Sequence, residues 1–544
     1  MSADNPAPTL AEITAAVAGD GPTVTLEGPA WVVWRCNGKL LHGGWYRAPT
    51  LQKVMAQARA HPQAAQATAI ELCLTQAPRQ VPEDRIVQVF ANSARGRLGI
   101  EIRLDQALHR VPPTLSIATN RSFTREIELF AEATGLSAAE VRQRAAFFSF
   151  EARQFVIGLE PGAPQAELYR GNLVIPPEAV GPDLLRETVA GLIDWMRSNV
   201  AASGRMTYKY WPSRGAESQS DNTIRQFMAT VALGRIAQRT ADTAIRDALL
   251  RNLSHNLATY YAEIDGLGAI LLDGKAKLGA AALAALAILE SRANGFIAPD
   301  AYAAEFDGLC NGIAHLWQPD GAFRTFLVPP ERNDNQNFYP GEALLFWAAL
   351  HRQGKDPELA DKCLKSFDYY SDWHRRAPNP AFVPWHSQAY VMLYEDLDIP
   401  ALAQFVFERN DWLLDMQQWG GTLPPDLWGR FYNPERPDFG PPHASATGVY
   451  MEGLADAWLL ALRLNDTVRA ERYAKALRRA LRSVAQLQFR DPGSDMFYIT
   501  RRNAVSGGLR TETYNNEIRV DNVQHCLMAL LKFDTDPRFP WPTP

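Results

Sequence analysis

Phe439-Gly440-Pro441-Pro442-His443-Ala444-Ser445-Ala446-Thr447-Gly448-Val449-Tyr450-Met451-Glu452-Gly453-Leu454 is a Gly/Pro-rich loop, carrying one histidine, that runs straight into an apolar segment. Glycine and proline break regular structure, so the periodic run after them predicts a helix over 447–462. Working outward, the same order of marked loop then apolar helix recurs at 222–234, 278–290, 340–351, 385–393 and 520–532. The starts step by 56, 62, 45, 62 and 73 residues, a period that holds one helical hairpin and a long loop. Before each lies a helix with a charged face, at 183–200, 242–264, 299–317, 357–373, 400–417 and 467–488. Such a two-faced helix must lay its apolar stripe on a partner. Six hairpins therefore predict an (α/α)6 toroid whose inner helices turn their loop ends toward one cavity; an open solenoid of helix pairs is the alternative. The unequal repeat lengths favour the closed ring. The joints 204–208, 318–323 and 495–498 each place a turn before an aromatic residue, as a short hairpin over the cavity mouth requires.

The size and composition agree with this reading. A chain of 544 residues is too long for one ordinary core. Its 47% hydrophobic and 21% charged content is that of a globular protein. A net charge of -5 and a pI near 6.1 give no basic surface for nucleic acid. The five cysteines, Cys36, Cys73, Cys310, Cys363 and Cys526, are odd in number and in no CxxC pair, which points to a reducing compartment without a disulfide framework or structural zinc. The first residues lack a basic start and an unbroken apolar core, and no uncharged run approaches the roughly 18 residues of a membrane span. A cytoplasmic protein is expected, with no membrane or nucleic-acid partner; the oligomeric state is not readable.

Ahead of the helical region the pattern is α+β. Residues 1–29, rich in Ala, Pro, Gly and Thr, predict a loose arm with one short helix. Strands are expected at 31–35, 70–74, 85–90, 98–104, 114–118, 147–159 and 167–175, and helices at 51–60, 123–132 and 138–146. The expected plan is thus a small N-terminal domain over 30–175, a Pro/Gly linker, an all-α (α/α)6 toroid over 183–535, and a tail over 536–544. The order of elements around Gly38-Lys39-Leu40-Leu41-His42-Gly43-Gly44 resembles the AMMECR-like domain, although that family's Leu-Arg-Gly-Cys-Ile-Gly signature is absent; no functional residue carries over.

Tyr339-Pro340-Gly341-Glu342-Ala343-Leu344-Leu345, with the Asp320-Gly321 joint, resembles the toroids of the N-acylglucosamine 2-epimerase and cellobiose 2-epimerase type and of lanthionine-synthetase-C-like proteins. The likeness covers about residues 183–535. It implies proton abstraction beside a sugar carbonyl by histidines on inner helices, carried here by His386 and His443. The second family would imply zinc, but His525-Cys526 reverses its order, and only Cys310-Asn311-Gly312 echoes its glycine-flanked cysteine. No metal and no cofactor is expected.

From the residues themselves, His386, His443 and His525 stand at or near inner-helix starts in units four to six, positions that converge in a toroid. Imidazoles gathered around a polar substrate suit acid/base work near neutral pH. Glu452, within an apolar helix, and Asp521 form the carboxylate pair of a competing hydrolase reading. Candidate substrate contacts are Tyr208, Tyr210, Asn222 and Arg225 in the first unit, Lys275 before the second inner helix, Tyr339, Glu342, Trp385 and Tyr450 on later ones, and Arg502, Asn516, Glu517 and Arg519 in the polar stretch before the sixth. Aromatic rings stack on sugar faces and arginines clamp anions. Each also has a plainer role: Glu342 as a helix cap, the first cluster as rim packing, the 501–525 stretch as a solvated loop. The leading expectation is a sugar or uronate epimerase or isomerase acting on a small molecule or oligosaccharide. A glycoside or unsaturated-uronide hydrolase and a non-catalytic scaffold of lanthionine-synthetase-C-like type are the alternatives.

Overall fold

The computed structural model describes residues 7–541. Six helices, Thr223–Thr240, Leu278–Ala293, Tyr339–Gly354, Val383–Leu397, Ala444–Arg463 and Val520–Leu530, form an inner ring. Each packs between its two neighbours, and the sixth meets the first, so the ring is closed. Outside it lie Pro182–Ser198, Thr243–Tyr260, Ala303–Leu316, Pro357–Arg376, Pro400–Leu413 and Thr467–Leu487. The closure excludes the open solenoid. Inner helices are apolar nearly all round, because neighbours cover every side; Leu278 through Leu289 on the second is buried without a break. The outer helix Thr467–Leu487 is two-faced, with Tyr473, Leu477, Leu481 and Val484 inward and arginines outward.

The joints repeat more closely than the aromatic signal indicates. Val200 bridges Met206 and Trp317 bridges Phe323. Within these turns Gly204 (φ +91°) and Gly321 (φ +95°) press on the carbonyls of Arg251 and Lys365 in the next outer helix. A side chain fits neither the left-handed backbone nor the gap. The third expected joint is wider, bridging Gln488 to Leu509.

The N-terminal region is an antiparallel sheet of eight strands. Its main order is Lys39–Tyr46, Ala30–Cys36, Ala69–Thr75, Ala146–Gly158, Leu98–Leu104, Ala107–Val111, with Arg79–Val81 and Gln165–Leu168 also on the long fourth strand. Two expected strands are helical. Residues 85–90 hold the short helix Ile86–Val89, and 114–118 fall in Pro113–Ala118, where Pro113 at the first turn favours helix over strand. Residues 1–6 of the expected arm lie outside the described residues. Leu10–Ala18 is a helix boxed by Thr9 and Glu12, and its Ile13, Ala16 and Val17 are buried against the sheet with Val32 and Trp34. This part of the arm is packed, because its apolar residues recur at helical spacing. In the expected tail, Phe539 is buried against Trp458 and Phe533; residues 542–544 are outside the described part. Ile117, Ala118, Val156, Ala166 and Leu168 of the sheet region share one continuous core with the ring. No helix among the described residues is long and apolar enough to cross a membrane.

Candidate active site

The N-terminal ends of five of the six inner helices line a cavity of about 450 Å³. It is lined by Asn222 and Arg225 of the first inner helix, Tyr339 and Glu342 of the third, Trp385 of the fourth, His443 and Tyr450 at the fifth, and Arg519, Asp521, Gln524 and His525 at the sixth. Ten of the nominated residues thus meet in one hollow, which is of the size that takes a small molecule.

Helix geometry selects them. Asp521, Gln524 and His525 stand at i, i+3 and i+4 and share a face, as do Tyr339 and Glu342 at i and i+3. Asn222 caps the first inner helix by accepting from the Arg225 N–H, which places Arg225 over the Tyr208 ring; its guanidinium also reaches the Tyr208 hydroxyl at 3.4 Å. Arg225 Nε donates to Asp521 Oδ2 at 2.7 Å and Arg519 Nε to Asp521 Oδ1 at 2.9 Å. Burial pushes the Asp521 carboxyl up, but the two guanidiniums more than offset it and hold it well below the usual carboxylate range. Asp521 is therefore an anion with each carboxylate oxygen engaged by an arginine.

Glu342 is the opposite case. Burial raises its pKa to about 8, against the opposing pull of Lys277 and Arg225, and its Oε2 has no hydrogen-bond partner. Burial lowers the Lys277 amine as well. The carboxyl is therefore neutral at pH 7, a buried acid with a proton to give. Room for it comes from Gly279 on the second inner helix, where any Cβ would overlap the carboxyl.

The three histidines divide. His525 Nδ1 lies 2.6 Å from Glu452 Oε1, and Glu452 is fully buried beneath it on the fifth inner helix. A hydrogen bond from Nδ1–H to this carboxyl oxygen selects the tautomer whose Nε2 is an acceptor. Trp385 fixes the ring edge-on, with centroids 5.9 Å apart. Glu452 does not line the cavity; its contact is with His525. His443 is the N-cap of its helix, with Nδ1 accepting the Ala446 N–H at 2.9 Å and lying 2.9 Å from Ser445 Oγ. That fixes the ring proton on Nε2. Burial, with Arg519 and Arg225 nearby, lowers its pKa to about 4 despite Asp521, so the ring is a neutral donor and not a base.

His386 is not in the cavity. It is 1% exposed, stacked on Phe382 at 3.5 Å, and its Nδ1 donates to the Phe382 carbonyl. Burial lowers its pKa to about 3. Its neighbour Trp385 faces the cavity, and one residue turns the helix by about 100°, which sends His386 toward the outer layer. The expected convergence of the two histidines is therefore corrected at His386, which lies outside the cavity, while His443 lines it.

Other nominated residues also fall outside. Tyr208 supports Arg225 from below. Lys275 is exposed on a short strand, and Tyr210 and Glu517 belong to a rim sheet in which Trp211 donates to Glu517. Asn516 is buried against the N-terminal region, and Arg502 lies in a short turn that packs on the first outer helix. Gln524 was not singled out by the sequence reading. It lines the cavity, is fully buried, and neither atom of its amide has a partner. Its i+3 spacing from Asp521 is the signal that finds it. Phe338 and Phe439 add aromatic wall. Among the described residues no group of three or more His, Cys, Asp or Glu is placed to hold a metal ion, and the Cys526 thiol contacts the Ala444 carbonyl.

No family model matches the sequence, and no curated protein does. Among solved structures, the chain is similar to a D-mannose isomerase (TM-score 0.48, 11% identity, 66% of this chain and 98% of that one). It is similar to cellobiose 2-epimerase from Bacillus thermoamylovorans (0.46, 11%, 64% and 98%) and to an unsaturated glucuronyl hydrolase specific for heparin (0.46, 12%, 65% and 97%).

Proposed function

We propose that the protein is a carbohydrate-active isomerase or epimerase that moves a proton beside a sugar carbonyl without a cofactor. The observation that carries the reading is His525, backed from outside the cavity by buried Glu452, in the same cavity as a neutral, Nε2-protonated His443. Abstraction of a proton next to a carbonyl needs a base, a donor to the oxygen on which charge develops, and a proton to return. His525 Nε2 is the base, and Glu452 stabilises the imidazolium that forms. His443 Nε2–H donates to the carbonyl oxygen as it becomes an enolate. Glu342 is the acid. The Arg225–Asp521–Arg519 cluster and the unpartnered Gln524 amide bind hydroxyls, and the aromatic walls pack on the apolar faces of the sugar.

The hydrolase alternative would pair neutral Glu342 with ionised Asp521, both in the cavity; both oxygens of Asp521 are already engaged by arginine. Incubation with reducing sugars in heavy water separates the two. Solvent deuterium should enter the carbon beside the carbonyl, and the Glu452→Gln and His525→Gln variants should slow this by about 10²–10⁴-fold. Release of a reducing end from a glycoside, with no deuterium uptake by any free sugar, would overturn the isomerase reading.

A further inference from the structure

The sixth inner helix is entered from a hairpin, Arg510–Glu512 and Asn515–Arg519, whose two ends reach different parts of the molecule. Its tip is seated in the N-terminal region. Asn120 Nδ2 donates to Asn515 Oδ1 at 3.0 Å, the Asn516 N–H donates to Asn120 Oδ1 at 3.2 Å, and Asn516 Nδ2 donates to the Ile117 carbonyl at 2.6 Å. Asn120 is itself held by Arg95, which donates to Oδ1 at 2.7 Å. From the tip the bonds continue toward the cavity. Asn515 Oδ1 accepts the Glu517 N–H, the Glu517 carbonyl accepts from Thr511 Oγ1, and Thr511 accepts from Asn522 beside Asp521. Arg519 is three residues beyond Asn516, about 10 Å of extended chain.

We infer that Asn120 is a positioning residue for the cavity: through Asn515 and Asn516 it fixes the strand that ends at Arg519 and leads into the first turn of the sixth inner helix, where Asp521 stands, and this is a task of the N-terminal region. The importance of Arg519 and Asp521 for substrate rests on the function proposed above; the mechanical link does not. Asn120 has φ +53°, so Asn120→Gly removes the side chain without straining the backbone, and Asn120→Asp keeps the acceptor while losing the donor. Gln486→Ala is the control, because the Gln486 side chain ties the ring to residues 173–175, at Ile175 N and Leu173 O, and its two bonds do not involve the Asn515–Arg519 strand.

The test is hydrogen–deuterium exchange of the full chain, read at 517–521, where the Val520 N–H is bonded to the Tyr208 carbonyl. Exchange there should accelerate at least tenfold in Asn120→Gly, less in Asn120→Asp, and stay unchanged in Gln486→Ala. With whichever sugar takes up deuterium in the heavy-water panel, Asn120→Gly should raise KM about tenfold with kcat within threefold. Unchanged exchange at 517–521 in Asn120→Gly, or equal acceleration in the control, overturns the inference, as does a fall in kcat alone. If no sugar takes up deuterium, the proposed reaction fails while the exchange result still decides the link.

Discussion

Three imidazoles of one residue type are set to different tasks by what each ring nitrogen meets. His386→Phe should keep turnover within about threefold of wild type, since the ring is packed away from the cavity against Phe382, Tyr370, Tyr390 and Gly341. Its pKa near 3, against about 6.5 unfolded, means that the folded state refuses a proton the unfolded state accepts, so stability falls as pH drops below 6.5. The phenylalanine variant should therefore gain in Tm relative to wild type from pH 6.5 downward. Glu342 has the reverse sign: with a folded pKa near 8 against about 4.3 unfolded, the folded state keeps a proton that the unfolded state releases, and stability falls as pH rises between those values. Glu342→Gln should widen its Tm advantage over wild type from pH 5 to pH 8, while turnover at pH 7 falls about 10²–10⁴-fold. The sequence placed all three histidines near inner-helix starts, but it could not give their phase. A helix buried on every side, such as Val383–Leu397, carries no polar stripe to show which face looks at the axis. Where charged or amide groups recur at three and four, as at Asp521, Gln524 and His525, the phase was there to be read.

Contacts between inner helices offer tests that leave the reacting groups in place. Gly279 and Glu342 sit on adjacent inner helices, and a methyl group at Gly279 would displace the carboxyl. Gly279→Ala should lower kcat nearly as far as Glu342→Gln and remove the pH dependence described for Glu342, measured by rate and by Tm. Gly448 faces the sixth inner helix, where a Cβ would come within 2.6 Å of the Cys526 backbone nitrogen. Backbone cannot give way as a side chain can, so Gly448→Ala should cost about 1–3 kcal/mol by denaturant unfolding. The helix pairs themselves were legible from period and amphipathicity. The small rim sheet was not, because its strands are two to five residues long and pair far along the chain: Tyr210 lies opposite Ile518, and Trp211 bonds Glu517 at a separation of 306 residues. No local pattern announces such a pairing. The glycines of the joints were visible, but their partners on the next outer helix were not.

The ring and the N-terminal sheet share a core through Ile117, Val156 and Leu168, and Arg170 is tied to Asp426 by a fully buried ion pair at 2.5 Å. Breaking one member of such a pair strands the other charge, so Asp426→Ala should destabilise the whole chain by about 3–5 kcal/mol. Calorimetry should show one cooperative transition shifted down, without a separate early event for the sheet. The sequence indicated two units joined by a linker; it could not show that the linker's flanks are stitched to both, because that depends on partners hundreds of residues away. The closed ring also has a consequence for the order of synthesis. A ribosome releases the first inner helix about 300 residues before the sixth, at roughly 5–20 residues per second. For that interval the flank of Thr223–Thr240 that will meet Val520–Leu530 stays bare, and His525, Asp521 and Arg519 have not yet emerged. The hollow thus comes into being in a single late step, and the nascent protein must shield an unfinished circle until its last arc arrives.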